Sequence, residues 1–348
     1  MTATMRAVIY HGPRDIVLEE FPVPDPRPVQ VLVKTGAALT CGTDFKAYRQ
    51  GHRVLLGDYP SPFGHELAGT VAAVGQGVGN VKEGDRVVVA NSAPMDDCFW
   101  CAHGQNHLCP KLKLHNGAYA EYDLVPAHIV RHNLHPLAAD VPFEVGALAE
   151  PFSTTLHAAD VMGVRPEETA LVIGAGPMSH LLIQALTARG ARVAVLGRSK
   201  PHLETARAAG AEAAFSDDDD ADLGPVEGRL RAWASGRGPD HVFEAVGKAE
   251  THRLALELVR DGGKVCLFGG CAQGASIPLD LHRVHYKQLS LHGVFHHTPP
   301  YFREAVRLLS EGRVKTGLII RGEVKLADLP KFFAENADKS VPKAVVRP

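Results

Sequence analysis

Three residues of different types, far apart in the chain, could together bind a metal ion that takes part in a reaction. Cys41, His65 and Glu150 stand in the segments TCGTD, FGHELAG and LAEPFSTTLHA. A thiolate, an imidazole and a carboxylate form the mixed ligand set of a catalytic zinc whose fourth position stays open. Each residue alone would be weak, because a single cysteine is more often a buried apolar thiol. Together they favour a catalytic zinc site.

A cluster of cysteines in MDDCFWCAHGQNHLC, residues 95–109, forms a second candidate metal site. Cys98 and Cys101 have the Cys-x2-Cys spacing, and Cys109 follows after seven more residues. A structural zinc takes four ligands in a tetrahedron, and only three thiols are present here. The cluster therefore lacks one ligand of a closed site.

A glycine-rich turn predicts a dinucleotide-binding site. Gly174 and Gly176 follow the buried-strand run TALVI and precede the helical segment PMSHLLIQALTARG. The first glycine permits a tight turn, and the second lets the backbone approach a pyrophosphate at the helix N-terminus. Ser179 replaces the third glycine of the fingerprint, so a tight turn without a cofactor stays as the alternative.

The residues after the next strand bear on the choice of nicotinamide cofactor. An NAD site places a carboxylate there for the ribose hydroxyls, whereas this chain has the segment Gly-Arg-Ser-Lys at 197–200. Arg198 and Ser199 can hold a 2′-phosphate, so we expect NADP(H); a solvated basic turn is the alternative. The residues expected to contact the cofactor are Gly174, Gly176, Pro177, Met178, Gly197, Arg198, Ser199, Lys200 and Val246.

The elements that must position these residues fall into two predicted domains. Residues 1–150 contain short β-branched runs bounded by Gly, Pro and Asp, as in a barrel-like β domain. Over residues 151–298 strands alternate with helices, which predicts a parallel, doubly wound sheet that binds the dinucleotide. Residues 299–348 are expected to return to the first domain, which bears the zinc.

The composition gives no sign of a nucleic-acid or membrane partner. The 348 residues carry a net charge of -2, and no segment approaches the length of an apolar membrane span. The N-terminal segment has proline and charges where a signal peptide needs an apolar run. We therefore expect a cytoplasmic protein whose six cysteines are ligands or buried thiols rather than disulfides.

The chain as a whole resembles the zinc-dependent medium-chain dehydrogenase/reductase family, part of the alcohol dehydrogenase superfamily. The motifs that carry the resemblance are, in order, CGTD, GHELAGTVAAVG, GDRVVV, the cysteine cluster, EP, GAGP, VFEAVG and GG. The sorbitol (polyol) and threonine dehydrogenase branches are nearest. The resemblance implies an α/β protein with a barrel-like (GroES-like) β catalytic domain and a doubly wound parallel-sheet Rossmann domain. It further implies that substrate binds in the cleft between the two domains.

The resemblance also implies a set of metal ligands. Cys41 and His65 match the zinc ligands of the family. Glu66 matches an acid that is a ligand in some members and an exchange partner in others. Glu150 matches the third ligand, bound directly or through water. The sequence leaves open which of the two glutamates binds the metal directly.

Three residues close to Cys41 match further roles in the family. Asp44 matches the carboxylate that orients the zinc-bound histidine, and Thr43 matches the hydroxyl that links the substrate oxygen to a proton relay. Lys46 stands where relatives often have the histidine that ends this relay. A lysine acts as a base at neutral pH only when desolvated or near another cation. Lys46 could instead bind the cofactor or face solvent.

In the family, the cysteine cluster holds a structural zinc through four cysteines spaced x2, x2 and x7. Cys98, Cys101 and Cys109 are in register with this spacing, but the first position is Met95, a poor zinc ligand. Either a nearby group completes the shell, or the zinc is lost or weakly bound, and we expect the second. The groups that could complete the shell are Asp96, Asp97, His103 and His107.

The implied activity is hydride transfer between NADP(H) and a secondary alcohol or ketone, with zinc polarising the substrate oxygen. A polyol, sugar, cyclitol or amino alcohol is the expected substrate, and a homodimer or homotetramer is the expected assembly. Candidates for the substrate pocket are Phe45, Tyr48, Arg49, His296 and His297, with ordinary loop positions as the alternative for each.

Two other functions are compatible with the same fold. One is a zinc-independent medium-chain reductase of activated double bonds, and the other is a non-catalytic binding protein. The presence of Cys41, His65 and Glu150 together argues against both.

Overall fold

The structure is a computed structural model of the chain and describes residues 3–95, 97–216, 224–337 and 342–348. Asp96, one of the candidates for the fourth ligand of the cysteine cluster, lies outside the described residues. The strands are β1 (Thr4–Gly12), β2 (Asp15–Pro22), β3 (Val31–Leu39), β4 (Ser61–Pro62), β5 (Leu67–Val74), β6 (Arg86–Val89), β7 (Tyr122–Val125), β8 (Leu134–Pro136), β9 (Thr169–Ile173), β10 (Arg192–Gly197), β11 (Ala213–Ser216), β12 (His241–Glu244), β13 (Lys264–Leu267), β14 (Ser290–Gly293), β15 (Ile320–Lys325) and β16 (Lys343–Arg347).

The α-helices vary in length from a single turn to fourteen residues. They are α1 (Gly42–Gln50), α2 (Arg53–Leu56), α3 (Phe99–Ala102), α4 (Ala127–His132), α5 (Phe143–Ala147), α6 (Ala149–Met162), α7 (Pro177–Thr187), α8 (Lys200–Ala209), α9 (Gly224–Trp233), α10 (Ala249–Leu258), α11 (Leu281–Tyr286), α12 (Pro299–Ser310) and α13 (Leu329–Asn336). Short 3-10 turns occur at Asn106–Leu108, Thr316–Leu318 and Leu326–Asp328. In the part of the chain that the structure describes, no helix has the length and apolar character needed to cross a bilayer.

One compact unit contains Met1–Ser153 and His297–Pro348 and is rich in β-structure. Its larger sheet has the strand order β15-β16-β3-β5-β6-β8, with β7 also paired to β3, and a smaller sheet has the order β2-β1-β4. β3 is central because its sequence, VLVKTGAAL, is apolar on both faces and most of it is buried. The C-terminal strand β16 pairs antiparallel with the end of β3, at Leu39. This pairing sets Lys343 and the residues after β3 close together.

Aromatic side chains form the centre of the apolar core in this unit. Phe63 and Phe333 are fully buried, with ring centroids 5.5 Å apart, and Tyr10 and Tyr119 each lie 5.5 Å from Phe63. Aromatic pairs at this separation contribute packing beyond the burial of their area. The core therefore fixes the loop that precedes β5, which carries two of the candidate metal ligands.

In the described part of the second unit, Thr154–His296, six parallel strands have the order β11-β10-β9-β12-β13-β14. This is the doubly wound order that binds dinucleotides where the strand order reverses, between β9 and β12. β9 is the central strand because all five residues of TALVI are buried, as expected for a strand covered on both faces. The fold class expected from the sequence, a barrel-like β unit with a doubly wound parallel-sheet unit, is confirmed.

Candidate active site

The donor atoms of Cys41, His65 and Glu66 converge in the β-rich unit. They lie within 4.8 Å of one another, and all three residues are buried. Cys41 directly precedes α1, while His65 and Glu66 directly precede β5, which pairs with β3. A thiolate, an imidazole and a carboxylate at this spacing fit a zinc ion by ligand type and by number.

Asp44 holds His65 in place. Its Oδ1 lies 3.1 Å from Nδ1 of His65, and Asp44 is fully buried. Its Oδ2 accepts hydrogen bonds from the backbone N–H of Cys41 at 3.2 Å and from the hydroxyl of Tyr119. Burial disfavours a charge on His65, but the Asp44 carboxylate outweighs it and raises the pKa of His65 well above its ordinary value. Because Nδ1 faces Asp44, Nε2 is left for a metal.

Glu66 forms a buried ion pair with Lys343 of β16. Nζ of Lys343 contacts both carboxylate oxygens of Glu66, at 2.6 Å from Oε2, and also donates to the backbone oxygen of Thr40 at 3.2 Å. Burial opposes the charge on Lys343, but the carboxylate of Glu66 outweighs it and keeps the pKa above its ordinary value. Lys343 therefore remains a cation that balances the negative groups around it.

Glu150 lies in the first turn of α6 and has a different set of partners. Its Oε1 accepts a hydrogen bond from Nδ2 of Asn91 at 3.2 Å, and Oδ1 of Asn91 lies 3.0 Å from Nε2 of His297. Burial raises the pKa of Glu150 to about 7, against the opposing effect of His65. Glu150 is absent from the group formed by Cys41, His65 and Glu66, whereas its donor atom lies within 4.8 Å of His297.

The structure places the remaining catalytic candidates on α1. Thr43 and Lys46 are both half-buried and lie three residues apart, which puts them on neighbouring turns of one helix face. Phe45 and Tyr48 are buried and pack against Phe333, with ring centroids 4.5 and 5.7 Å away. In this structure the two rings belong to the apolar core.

The two adjacent histidines, also candidates for the substrate pocket, have unlike surroundings. His296 belongs to the second unit, adopts a positive φ of 59° and accepts a hydrogen bond from Nδ1 of His157 at its backbone oxygen, 2.8 Å away. His297 belongs to the β-rich unit and is fully buried. Its Nε2 lies 3.0 Å from Oδ1 of Asn91, so its polar contact is with a side chain of the same unit. Arg49, the fifth pocket candidate, is exposed and donates to the backbone oxygen of Ala337 at 2.5 Å.

In the second unit, the glycine-rich turn has the geometry expected of a dinucleotide site. Gly174 has a φ of +101°, and a Cβ there would lie 2.9 Å from Cγ2 of Val246. Gly176 is the N-cap of α7, with Pro177 as the first helical residue, and a Cβ on Gly176 would meet nothing within 4 Å. The turn therefore leaves the helix N-terminus open for a phosphate group. Met178 is half-buried in the first turn of this helix, and Ser179 is buried behind it.

The basic segment after β10 is accessible to a ligand. Gly197 ends β10 and packs closely against Ala175, so that a Cβ on Gly197 would lie 3.0 Å from Cβ of Ala175. Ser199 is the N-cap of α8, and Arg198 and Lys200 are exposed on either side of it. A hydroxyl and two cations thus flank one helix N-terminus.

A buried glutamate organises the neighbouring turn. Glu244 ends β12 and is fully buried. Its carboxylate accepts hydrogen bonds from the backbone N–H groups of Val246 at 2.8 Å and Gly247 at 2.9 Å, and from the hydroxyl of Thr251 at 2.7 Å. Val246, which approaches Gly174, is thereby held in a defined position.

The three cysteines of the cluster lie close together, as their spacing in the sequence predicts. The sulfur atoms of Cys98, Cys101 and Cys109 lie within 4.8 Å of one another, and no fourth Cys, His, Asp or Glu of the described ranges joins them. Asp97 is paired with Lys111 at 2.5 Å. His103 bonds through Nδ1 to the backbone oxygen of Phe99 at 2.7 Å. Three thiols do not by themselves complete the closed tetrahedral shell of a structural zinc.

Comparison with known proteins identifies the family. The alcohol dehydrogenase GroES-like domain matches residues 27–136, and the zinc-binding dehydrogenase family matches residues 177–311. D-altritol 5-dehydrogenase from Agrobacterium fabrum is 32% identical over 95% of this chain and 96% of its own length. Sorbitol dehydrogenase from Bacillus subtilis is 30% identical over 92% of this chain and 90% of its own length. The chain belongs to the zinc-dependent medium-chain alcohol dehydrogenases, in the polyol-type branch.

The fold of this alcohol dehydrogenase also has close structural neighbours. A zinc-binding dehydrogenase from Sinorhizobium meliloti, solved with NADP bound, superposes with a TM-score of 0.91 at 26% identity, covering 99% of this chain and 100% of the other.

Sequence reasoning missed four residues around the sites of this alcohol dehydrogenase. Asn91 and Lys343 contact candidate ligands, Tyr119 contacts Asp44, and Glu244 contacts a turn of the cofactor site. Only Glu244 had a signal in the sequence, because it lies in the VFEAVG motif after a predicted strand. The other three are common residue types that reach their partners through pairings between distant segments.

Proposed function

We propose that this alcohol dehydrogenase transfers a hydride between NADP(H) and a secondary alcohol or ketone, on a polyol, sugar, cyclitol or amino alcohol. The observation that carries the proposal is the convergence of Cys41, His65 and Glu66 within 4.8 Å in a buried site. A thiol, an imidazole and a carboxylate whose donor atoms meet in this way supply the mixed ligand set of a catalytic zinc.

Cys41, His65 and Glu66 would hold the zinc, and Glu150 would act beside it, directly or through water. Zinc, when bound, would polarise the substrate oxygen as a Lewis acid. Asp44 keeps His65 in the orientation that presents Nε2. Lys343 neutralises part of the negative charge that Cys41 and Glu66 bring to the site.

Thr43 and Lys46 would carry out proton transfer on the substrate side. In the direction of alcohol oxidation, Oγ1 of Thr43 would accept the hydroxyl proton of the substrate and pass its own proton onward. Lys46 lies one turn later on the same helix, α1. It is the candidate for the next proton carrier or for a contact to the cofactor ribose.

The cofactor preference rests on Arg198 and Ser199. The segment that follows β10 has no carboxylate for the ribose hydroxyls, and its two cations are exposed. A 2′-phosphate would gain charge-assisted hydrogen bonds there. The bound NADP of the Sinorhizobium meliloti neighbour supports the same choice.

Kinetics with both cofactors test this preference. We expect a higher kcat/KM for NADPH than for NADH, and Arg198→Ala should lower the NADPH value by about 10-fold or more while leaving NADH nearly unchanged. Arg207→Ala, at another exposed position of α8, is the matched control and should alter neither value. A wild-type preference for NADH would contradict the proposal.

The substrate class rests on the similarity to the sorbitol and D-altritol dehydrogenases. A panel of polyols and of the corresponding ketoses, followed by the absorbance of NADPH, tests it. We expect turnover of polyhydroxylated secondary alcohols or ketones. Reduction of activated double bonds without any ketone reduction would instead support the zinc-independent alternative.

A further inference from the structure

Asn91 links the carboxylate of Glu150 to the ring of His297. Its Nδ2 donates to Oε1 of Glu150 at 3.2 Å, and its Oδ1 lies 3.0 Å from Nε2 of His297. The exposed fractions are 7% for Glu150, 3% for Asn91 and 0% for His297, so water has little access to the three side chains. All three belong to the β-rich unit.

The direction of these hydrogen bonds follows from what each group can donate. The amide nitrogen of Asn91 faces Glu150 and donates to Oε1, which accepts. The amide oxygen then faces His297, and an oxygen can only accept there. Nε2 of His297 must therefore carry a proton. The N–H at Nε2 of His297 thus fixes the orientation of the Asn91 amide. Nδ2 of that amide then holds Oε1 of Glu150.

Both ends of this link are fixed by the fold. Asn91 lies two residues after the end of β6, and its backbone oxygen accepts a hydrogen bond from the backbone N–H of His115 at 2.7 Å. The ring of His297 packs against the fully buried Phe302 of α12, with centroids 5.2 Å apart. A rigid partner loses little entropy when it forms a hydrogen bond, so the link can hold Glu150 in one rotamer.

We propose that Asn91 and His297 are positioning residues that hold the Glu150 carboxylate beside the catalytic metal. This proposal rests on the proposed function, in which Cys41, His65 and Glu66 bind zinc. Through the hydrogen bond to Oε1, Asn91 restricts the rotamers that Glu150 can adopt, and this bond does not use Oε2. Without the link, Glu150 gains rotamers, and the coordination of the metal becomes less well defined.

A second asparagine–histidine pair in the same unit provides a matched control. Nε2 of His135 lies 3.0 Å from Oδ1 of Asn133, and the ring of His135 also packs on Phe302, at 5.5 Å. Both residues are buried, as Asn91 and His297 are. The difference is the other partner, because Nδ2 of Asn133 donates to the backbone oxygen of Ser92 instead of a carboxylate.

The test uses the full-length enzyme in its zinc form and its cobalt-substituted form. Asn91→Leu should shift the visible absorption bands of bound cobalt, speed the transfer of zinc to a chelator by about 10- to 100-fold and lower kcat more than it raises KM for NADPH. Asn133→Leu should lower the thermal midpoint to a similar extent and leave the cobalt bands and the transfer rate as in the wild type. Equal behaviour of the two variants in both metal measurements would overturn the proposal.

The histidine end provides a second test in case Asn91→Leu does not fold. His297→Phe retains the packing on Phe302 but has no donor, so it should reproduce the cobalt shift of Asn91→Leu. His297→Gln restores an N–H donor toward Asn91 and should return the bands toward those of the wild type. If His297→Phe has the wild-type spectrum, the link does not position Glu150. A wild-type enzyme that binds no zinc and shows no turnover would instead refute the proposed function itself.

Discussion

At the scale of single residues, Asp44 contacts more of the proposed metal site than any one hydrogen bond would require. Its carboxylate contacts His65 and accepts hydrogen bonds from Cys41 and Tyr119, so two proposed ligands are oriented through one buried group. Asp44→Asn keeps the shape and removes the charge. We expect zinc to leave this variant about 10 to 100 times faster, as measured by transfer to a coloured chelator. Tyr119→Phe removes one donor and retains the charge, so its effect should be smaller. Wild-type zinc retention in Asp44→Asn would rule out this role.

The ion pair between Lys343 and Glu66 leads to a second prediction, which concerns stability. Lys343→Met would leave the Glu66 carboxylate buried without its cation, which should reduce the free energy of unfolding by about 3 kcal/mol. The control is Lys331→Met, because Lys331 and Glu335 form an exposed pair 3.9 Å apart. Its loss should change stability by less than about 0.5 kcal/mol. Denaturant titration of the two variants measures both values, and equal stability would contradict the role given to Lys343.

Whether a site residue can be predicted from the sequence depends on how far apart along the chain it and its partner lie. Cys41 and His65 could be named because their chemistry is specific, and Asp44 and Glu66 because they lie in short motifs that resemble the family. Lys343 could not, since it reaches Glu66 across 277 residues through the pairing of β16 with β3. Nothing in a single lysine near the C-terminus indicates that contact.

At the scale of elements, most strands and helices of the dinucleotide unit were predictable because they show an apolar pattern, whereas α11, which has no buried residue, was not. The short helices of the β-rich unit were not. α1 is only nine residues long and its positions begin with Gly-Thr-Asp, which are poor helix formers. It forms because Phe45, Ala47 and Tyr48 are buried against the core. Packing thus creates the element that carries Thr43 and Lys46.

Strand β8 contains a histidine that links stability to pH. Burial, with a contribution from the nearby charge of Arg303, lowers the pKa of His135 from 6.5 to about 4. The unfolded chain therefore binds a proton between these values that the folded chain does not, so stability falls as the pH falls. The loss between pH 7 and pH 4 amounts to about 3 kcal/mol at most.

Denaturant titration at a series of pH values measures this dependence. His135→Gln keeps a donor toward Asn133 but has no group that titrates, so it should lose less stability than the wild type between pH 7 and pH 4. Parallel curves for the two proteins over this range would show that His135 is not the source of the dependence.

The loop between β6 and β7 carries the three-cysteine cluster, for which we expect weak zinc binding at most. After mild chelation, elemental analysis should find about one zinc ion per chain, held by the catalytic site. Cys98→Ser should leave that number unchanged, whereas Cys41→Ser should remove the retained zinc. Two chelation-resistant zinc ions per chain would mean that the cluster binds zinc in a closed shell, contrary to this expectation.

At the scale of the whole molecule, the order of motifs along the chain indicates the family and its fold more specifically than any single motif does. The first unit is interrupted by the second and completed by residues 297–348, which supply β15, β16 and α13. The proposed metal site depends on these residues, because Lys343 of β16 pairs with Glu66 and Phe333 packs against Phe45 of α1. A first unit without residues 297–348 would lack both Lys343 and Phe333.

Zinc dependence of turnover tests the central proposal most directly. The wild-type enzyme is assayed for NADPH-dependent ketone reduction as isolated, after removal of zinc by a strong chelator, and after zinc is returned. We expect activity to fall to the background of the Cys41→Ser variant and to recover as about one zinc ion per chain is bound. Full turnover by a protein shown by elemental analysis to contain no zinc would contradict the proposed chemistry of Cys41, His65 and Glu66.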